Sequence, residues 1–196
     1  MNATIDRKQR SGDTALRIAC EQGKVDEVKQ LLEYGDDIDM PDDRGWTPLM
    51  SAVQDGNVEL TKLLLDERAN VNAVNAERET ALSIACRYGY ANLVHLLFTK
   101  GSNIDLKNQY GNTSLIEAAR NGHTVVVEFL LSKGTPIDVA NNEGWTALMQ
   151  ASSEGHTEVA LLLLKNGAAV NLQRPNGFSA LTTACAFGHV DTARVL

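Results

Sequence analysis

The chain repeats itself every 33 residues, a period that fits only an array of like units, each burying its apolar face against its neighbours. Six segments align without an insertion: D-T-A-L-R-I-A-C-E-Q-G from Asp13, W-T-P-L-M-S-A-V-Q-D-G from Trp46, E-T-A-L-S-I-A-C-R-Y-G from Glu79, N-T-S-L-I-E-A-A-R-N-G from Asn112, W-T-A-L-M-Q-A-S-S-E-G from Trp145 and F-S-A-L-T-T-A-C-A-F-G from Phe178. Leu16, Leu49, Leu82, Leu115, Leu148 and Leu181 fill one register. Ala19, Ala52, Ala85, Ala118, Ala151 and Ala184 fill a second, and Gly23, Gly56, Gly89, Gly122, Gly155 and Gly188 a third.

Each unit reads as a short helix, a glycine break, a longer helix and a polar loop. Thr47 suits an N-cap and Pro48 the first helical position, where an N–H has no partner anyway. Gly56 supplies the left-handed residue that ends the helix. Apolar residues then recur at helical spacing, as in Leu93, Val94, Leu97 and Phe98, until a second glycine at Gly35, Gly101, Gly134 or Gly167. Asp- and Asn-rich segments such as residues 36–43 lead into the next unit as extended arms and turns.

The period, the T-x-L-x-x-A core and the paired helices resemble the ankyrin-repeat family. The resemblance covers nearly the whole chain and implies an all-α repeat solenoid of stacked helix-turn-helix units with β-hairpin-like loops. The repeats fall near 13–45, 46–78, 79–111, 112–144, 145–177 and 178–196, the last incomplete, in a single array over 1–196. The family's His after T-P-L is replaced by Arg17, Met50, Ser83, Ile116, Met149 and Thr182. Arg68 and Arg78 stand where other repeats carry turn glycines, so the junction of repeats 2 and 3 should be strained or differently turned. Glu27 and Gln30 occupy positions that are apolar in the inner repeats, which makes repeat 1 a cap. Leu196 aligns with mid-helix Leu163, so the array is expected to continue past it.

Cys20, Cys86 and Cys185 share one small-residue register and read as core fillers, too far apart for disulfides. Cys185 and His189 are four apart, the spacing of an activated thiol, but Gly188 interrupts the helix between them. His123, His156 and His189 share a register after the inter-helix glycine, with no third or fourth metal ligand nearby, and His95 falls on an exposed helix face. The acidic run over residues 36–43 lacks the EF-hand spacing and reads as a solvated loop tip. No nucleotide-binding, zinc-protease or hydrolase motif occurs, so no enzyme, cofactor or metal is expected.

The net charge of −7 argues against nucleic acid and anionic membranes as partners. Residues 1–66 carry 14 acids and 8 bases, so steering favours a basic ligand at that end. With no signal-like start and no long apolar run, the chain reads as an intracellular monomer, cytoplasmic or nuclear.

In the family, partners meet the hairpin tips and the short first helices. Carried onto this chain, that habit selects Trp46, Arg87, Tyr88, Tyr110, Arg120, Trp145, Phe178 and Phe187, a set that includes six of the ten aromatic residues. Aromatic and arginine side chains in a row are what interface hot spots are made of. The function implied is a non-enzymatic scaffold binding a protein or extended peptide on its concave face. The alternative is a regulatory or targeting module of a larger enzyme, channel or effector. Val71-Asn72 and Val170-Asn171, each with a Leu eight residues before the Asn, resemble sites at which ankyrin repeats are hydroxylated on asparagine.

Overall fold

A computed structural model describes residues 14–196 as twelve helices in six antiparallel pairs. Asp13, with which the first aligned segment opens, lies outside the described residues. The pairs are α1 (Ala15–Glu21) with α2 (Val25–Glu33), α3 (Pro48–Gln54) with α4 (Val58–Asp66), and α5 (Ala81–Tyr88) with α6 (Ala91–Thr99). Then follow α7 (Ser114–Arg120) with α8 (Thr124–Ser132), α9 (Ala147–Ser153) with α10 (Thr157–Lys165), and α11 (Ala180–Ala186) with α12 (Val190–Val195). First helices stack on first helices, from the second pair onward second helices stack on second helices, and the core lies between the two rows.

Every first helix starts the same way. The hydroxyls of Thr14, Thr47, Thr80, Thr113, Thr146 and Ser179 accept the backbone N–H three residues on, so one orphan donor per helix is satisfied by a residue the period fixes. The register leucines from Leu16 to Leu148 are buried, each contributing roughly 2 kcal/mol of apolar transfer. In repeat 6 this changes: Leu181 is 41 % exposed and Cys185 is exposed, since no described repeat stacks on their face. Among the described residues Cys185 is thus exposed where Cys20 and Cys86 are buried. The cap residues Glu27 and Gln30 lie on the exposed side of α2.

Arg68 has φ 71° and Arg78 φ 59°, so both keep the left-handed turn that glycine makes in the other repeats. The junction is strained, not rerouted, because each turn is held by bonds on both sides.

Two registers outside the helices tie the repeats together. The side-chain oxygens of Asp42, Asn75, Asn108 and Asn141 each accept the N–H groups two and four residues on, which folds each loop into a hairpin-like tip. The tips are joined by backbone bonds from Ala76 N–H to Arg44 O, Gln109 N–H to Glu77 O, and Asn142 N–H to Tyr110 O. The next rung would need an N–H at Pro175, which has none; Arg174 Nε donates to Glu143 O at 3.4 Å instead.

Candidate functional site

One face of the array is formed by the loop tips and the C-terminal ends of the first helices. Those ends expose carbonyls that no intrahelical N–H can reach. From the next repeat, His123 Nε2 donates to Arg87 O at 2.8 Å, His156 Nε2 to Arg120 O at 3.0 Å and His189 Nε2 to Ser153 O at 2.8 Å. Tyr90 Oη donates to Gln54 O at 3.4 Å from the same register. The histidines are thus inter-repeat clasps. His189 is turned toward Ser153, so Cys185 and His189 form no hydrogen-bonded pair. Burial pushes the Cys20 thiol up to about 12 and the Cys86 thiol well above its ordinary range, so both stay protonated at neutral pH and are poor nucleophiles. Among the described residues no group of three or more His, Cys, Asp or Glu side chains could hold a metal.

Four of the eight sequence-predicted residues converge. Tyr110, Arg120, Trp145 and Phe187 line one groove of about 420 Å³ that crosses repeats 3 to 6, with Gln150, Glu143 and Glu154 between them. Phe187 is 62 % exposed and Tyr110 is exposed. Trp145 is only half-buried, not free: it packs on the core, its Nε1 donates to Glu143 at 3.3 Å, and the Arg174 guanidinium lies 3.8 Å from its ring centre.

The other four do not line that groove. Trp46 is half-buried against the core at the first tip, where its N–H donates to Asp42. Tyr88 is exposed and stacks on Tyr90 with ring centres 5.7 Å apart. Phe178 borders a separate apolar cleft with Leu181 and Cys185. Arg87 is held between two carboxylates, Glu79 and Glu117, which are 3 % and 4 % exposed.

That clamp belongs to a polar network the sequence reading missed. Asn75 Nδ2 donates to Glu79, Asn108 and Asn112 Nδ2 both donate to Glu117, and Asn141 Nδ2 donates to Asn112 Oδ1 at 2.7 Å. The network runs from repeat 2 to repeat 4 beneath the tips. One signal was available: Asp42, Asn75, Asn108 and Asn141 are 33 residues apart, and Glu117 is an acid in a register filled elsewhere by Ser51, Ile84, Gln150 and Thr183. Nearer the N-terminus the row along this face turns acidic, and burial together with the Glu21 carboxylate raises the pKa of Asp55.

No helix among the described residues is long and apolar enough to cross a membrane. Among curated proteins, none matches the chain. The family model for ankyrin repeats, in three copies, matches residues 1–75, 60–141, 82–174 and 126–196, and so accounts for the whole array. Ankyrin repeats generally serve as protein-interaction modules and are typically without catalytic activity. The stacked pairs, their shared caps and this match together place the chain in the ankyrin-repeat family.

Proposed function

We propose that this chain is a monomeric, non-enzymatic scaffold inside the cell that binds an elongated protein segment along its concave face, with the groove of repeats 3 to 6 as its main anchor. The observation that carries the reading is the convergence of Tyr110, Arg120, Trp145 and Phe187 on one groove. Large aromatic walls and an arginine supply rigid contact area at little entropic cost. From there the segment continues over exposed Tyr88 toward Arg87 and Trp46 on one side and Phe178 on the other. The acidic residues of repeats 1 and 2 favour a basic stretch at that end.

Phe187→Ala and Trp145→Ala should each weaken binding of the native partner by about 2 kcal/mol, or roughly thirtyfold. Phe187→Ala should leave the melting temperature nearly unchanged, because that ring is mostly in solvent. Trp145→Ala should lower it modestly, because that ring packs on the core. Isothermal titration and thermal melts of the same samples decide the matter: unchanged affinity in Phe187→Ala makes the groove no anchor.

Asn72 and Asn171 are both exposed, and we propose both as asparagine hydroxylation sites of unequal reactivity. Asn72 Oδ1 accepts from Asn103 N–H at 2.8 Å and its Nδ2 donates to Gly101 O at 3.2 Å, so it is tied to the next repeat. Asn171 makes no side-chain hydrogen bond among the described residues. Peptide mass spectrometry after exposure to an asparaginyl hydroxylase should show the gain of one oxygen at Asn171 before Asn72. Equal rates, or no modification, would refute this.

A further inference from the structure

We propose that the groove reads its partner by charge order: an acidic residue of an extended peptide over Arg120 and, three residues along the peptide, a basic residue among Trp145, Phe187 and the carboxylates of Glu143 and Glu154. The proposal rests on the groove being the partner site and specifies what it selects.

The two charges belong to successive repeats. Arg120 ends α7 in repeat 4, and Glu154 follows α9 in repeat 5, at the position after the one equivalent to Arg120. Neighbouring helices lie roughly 8–10 Å apart and an extended chain advances about 3.3 Å per residue, so side chains three apart match the two sites. Neither charge is spoken for. Arg120 makes no ion pair among the described residues, and Glu154 receives only a 3.5 Å contact from the Ser153 hydroxyl.

Three further observations point to a ligand. Gln150 is 7 % exposed and lines the groove, yet its side-chain amide bonds nothing among the described residues. The amide still opens to solvent in the groove, and an extended peptide offers it one C=O and one N–H to pair with. Glu154 caps the C-terminal end of α9, where a negative charge opposes the helix dipole and a lysine would be favoured for folding. The Trp145 ring already holds the Arg174 guanidinium, with a Glu143 carboxylate oxygen 3.9 Å from that guanidinium. The wall therefore contains within itself the contact proposed for the partner's basic side chain: a cation on an aromatic face with a carboxylate beside it. The rings of Tyr110, Trp145 and Phe187 do not stack on one another, which leaves the space between them for such a guest.

A phage-displayed library of random linear peptides, selected on the chain, tests this directly. The wild type should enrich peptides with one acidic and one basic residue three apart. A synthetic peptide from that pool should lose about tenfold or more in affinity to Glu154→Lys and to Phe187→Ala. Arg120→Glu should convert the enriched pattern to two basic residues at the same spacing. Both charge variants alter exposed side chains, and Glu154→Lys should melt no lower than the wild type. Binders that depend on Phe187 but carry no such pair, or an Arg120→Glu pool with the wild-type pattern, overturn the charge order while the groove stands. No binders, or binders indifferent to Phe187→Ala, overturn the groove as well.

Discussion

Gly89→Ala should lower folding stability by about 3 kcal/mol, against about 1 kcal/mol for Gly134→Ala, although both glycines are left-handed. Their φ angles are 74° and 78°, so the strain of an L side chain is nearly the same. What differs is the space. A methyl group on Gly89 would meet the His123 ring, 2.6 Å from Cε1 and 2.7 Å from Cγ, whereas nothing lies within 4 Å at Gly134. The ring cannot retreat without breaking its 2.8 Å bond to Arg87 O, which strands a helix-terminal carbonyl and adds roughly 1–2 kcal/mol. The chain has made the milder substitution itself, since Arg68 occupies the same register as Gly134. Urea denaturation of the two variants is the check, and equal losses would show that His123 is no clasp.

Much of this fold is legible in the sequence because its determinants are local. The Thr caps, the left-handed glycines and the leucine register each act within a few residues, and the period repeats them six times over. The resemblance to ankyrin repeats then supplies the handedness and stacking that local rules leave open. The inter-repeat contacts are harder to read, since they join residues 29 to 36 apart whose proximity depends on the stacking itself. The three histidines were visible as a register, but the carbonyls they clasp were not. Trp145 illustrates the same limit: it is half-buried because Arg174, which breaks the Asp/Asn register, lies across it. Cys185 shares its register with buried Cys20 and Cys86 but is exposed because no described repeat covers it, so burial here depends on the stacking and not on the register alone. Of the site, the residue types and rows were readable; which four share a groove was not.

Arg87 and Arg120 occupy the same position in successive repeats, yet their removal should affect different properties. Arg87 contacts both Glu79 and Glu117, whose carboxylates are almost wholly buried. Removing one partner of a buried ion pair costs about 3–5 kcal/mol, because a charge is left without its counter-charge. Two features reduce that here. The Arg87 side chain is itself about one-third exposed, so solvent screens the pair, and the asparagine amides continue to hold both carboxylates. Arg87→Ala should therefore cost about 2–3 kcal/mol, or roughly 5–10 °C in melting temperature for a chain of this size. Adding Glu117→Gln to Arg87→Ala should recover part of the loss, since one stranded charge is then removed while the amide can still accept from Asn108 and Asn112. Arg120 is exposed and makes no ion pair among the described residues, so Arg120→Ala should stay within about 0.5 kcal/mol of the wild type in folding and show its effect in partner affinity. Melting curves of the three variants beside wild type distinguish the roles. If Arg87→Ala melts with the wild type, or Arg120→Ala falls as far as Arg87→Ala, the carboxylate clamp does not hold repeats 2 to 4 together.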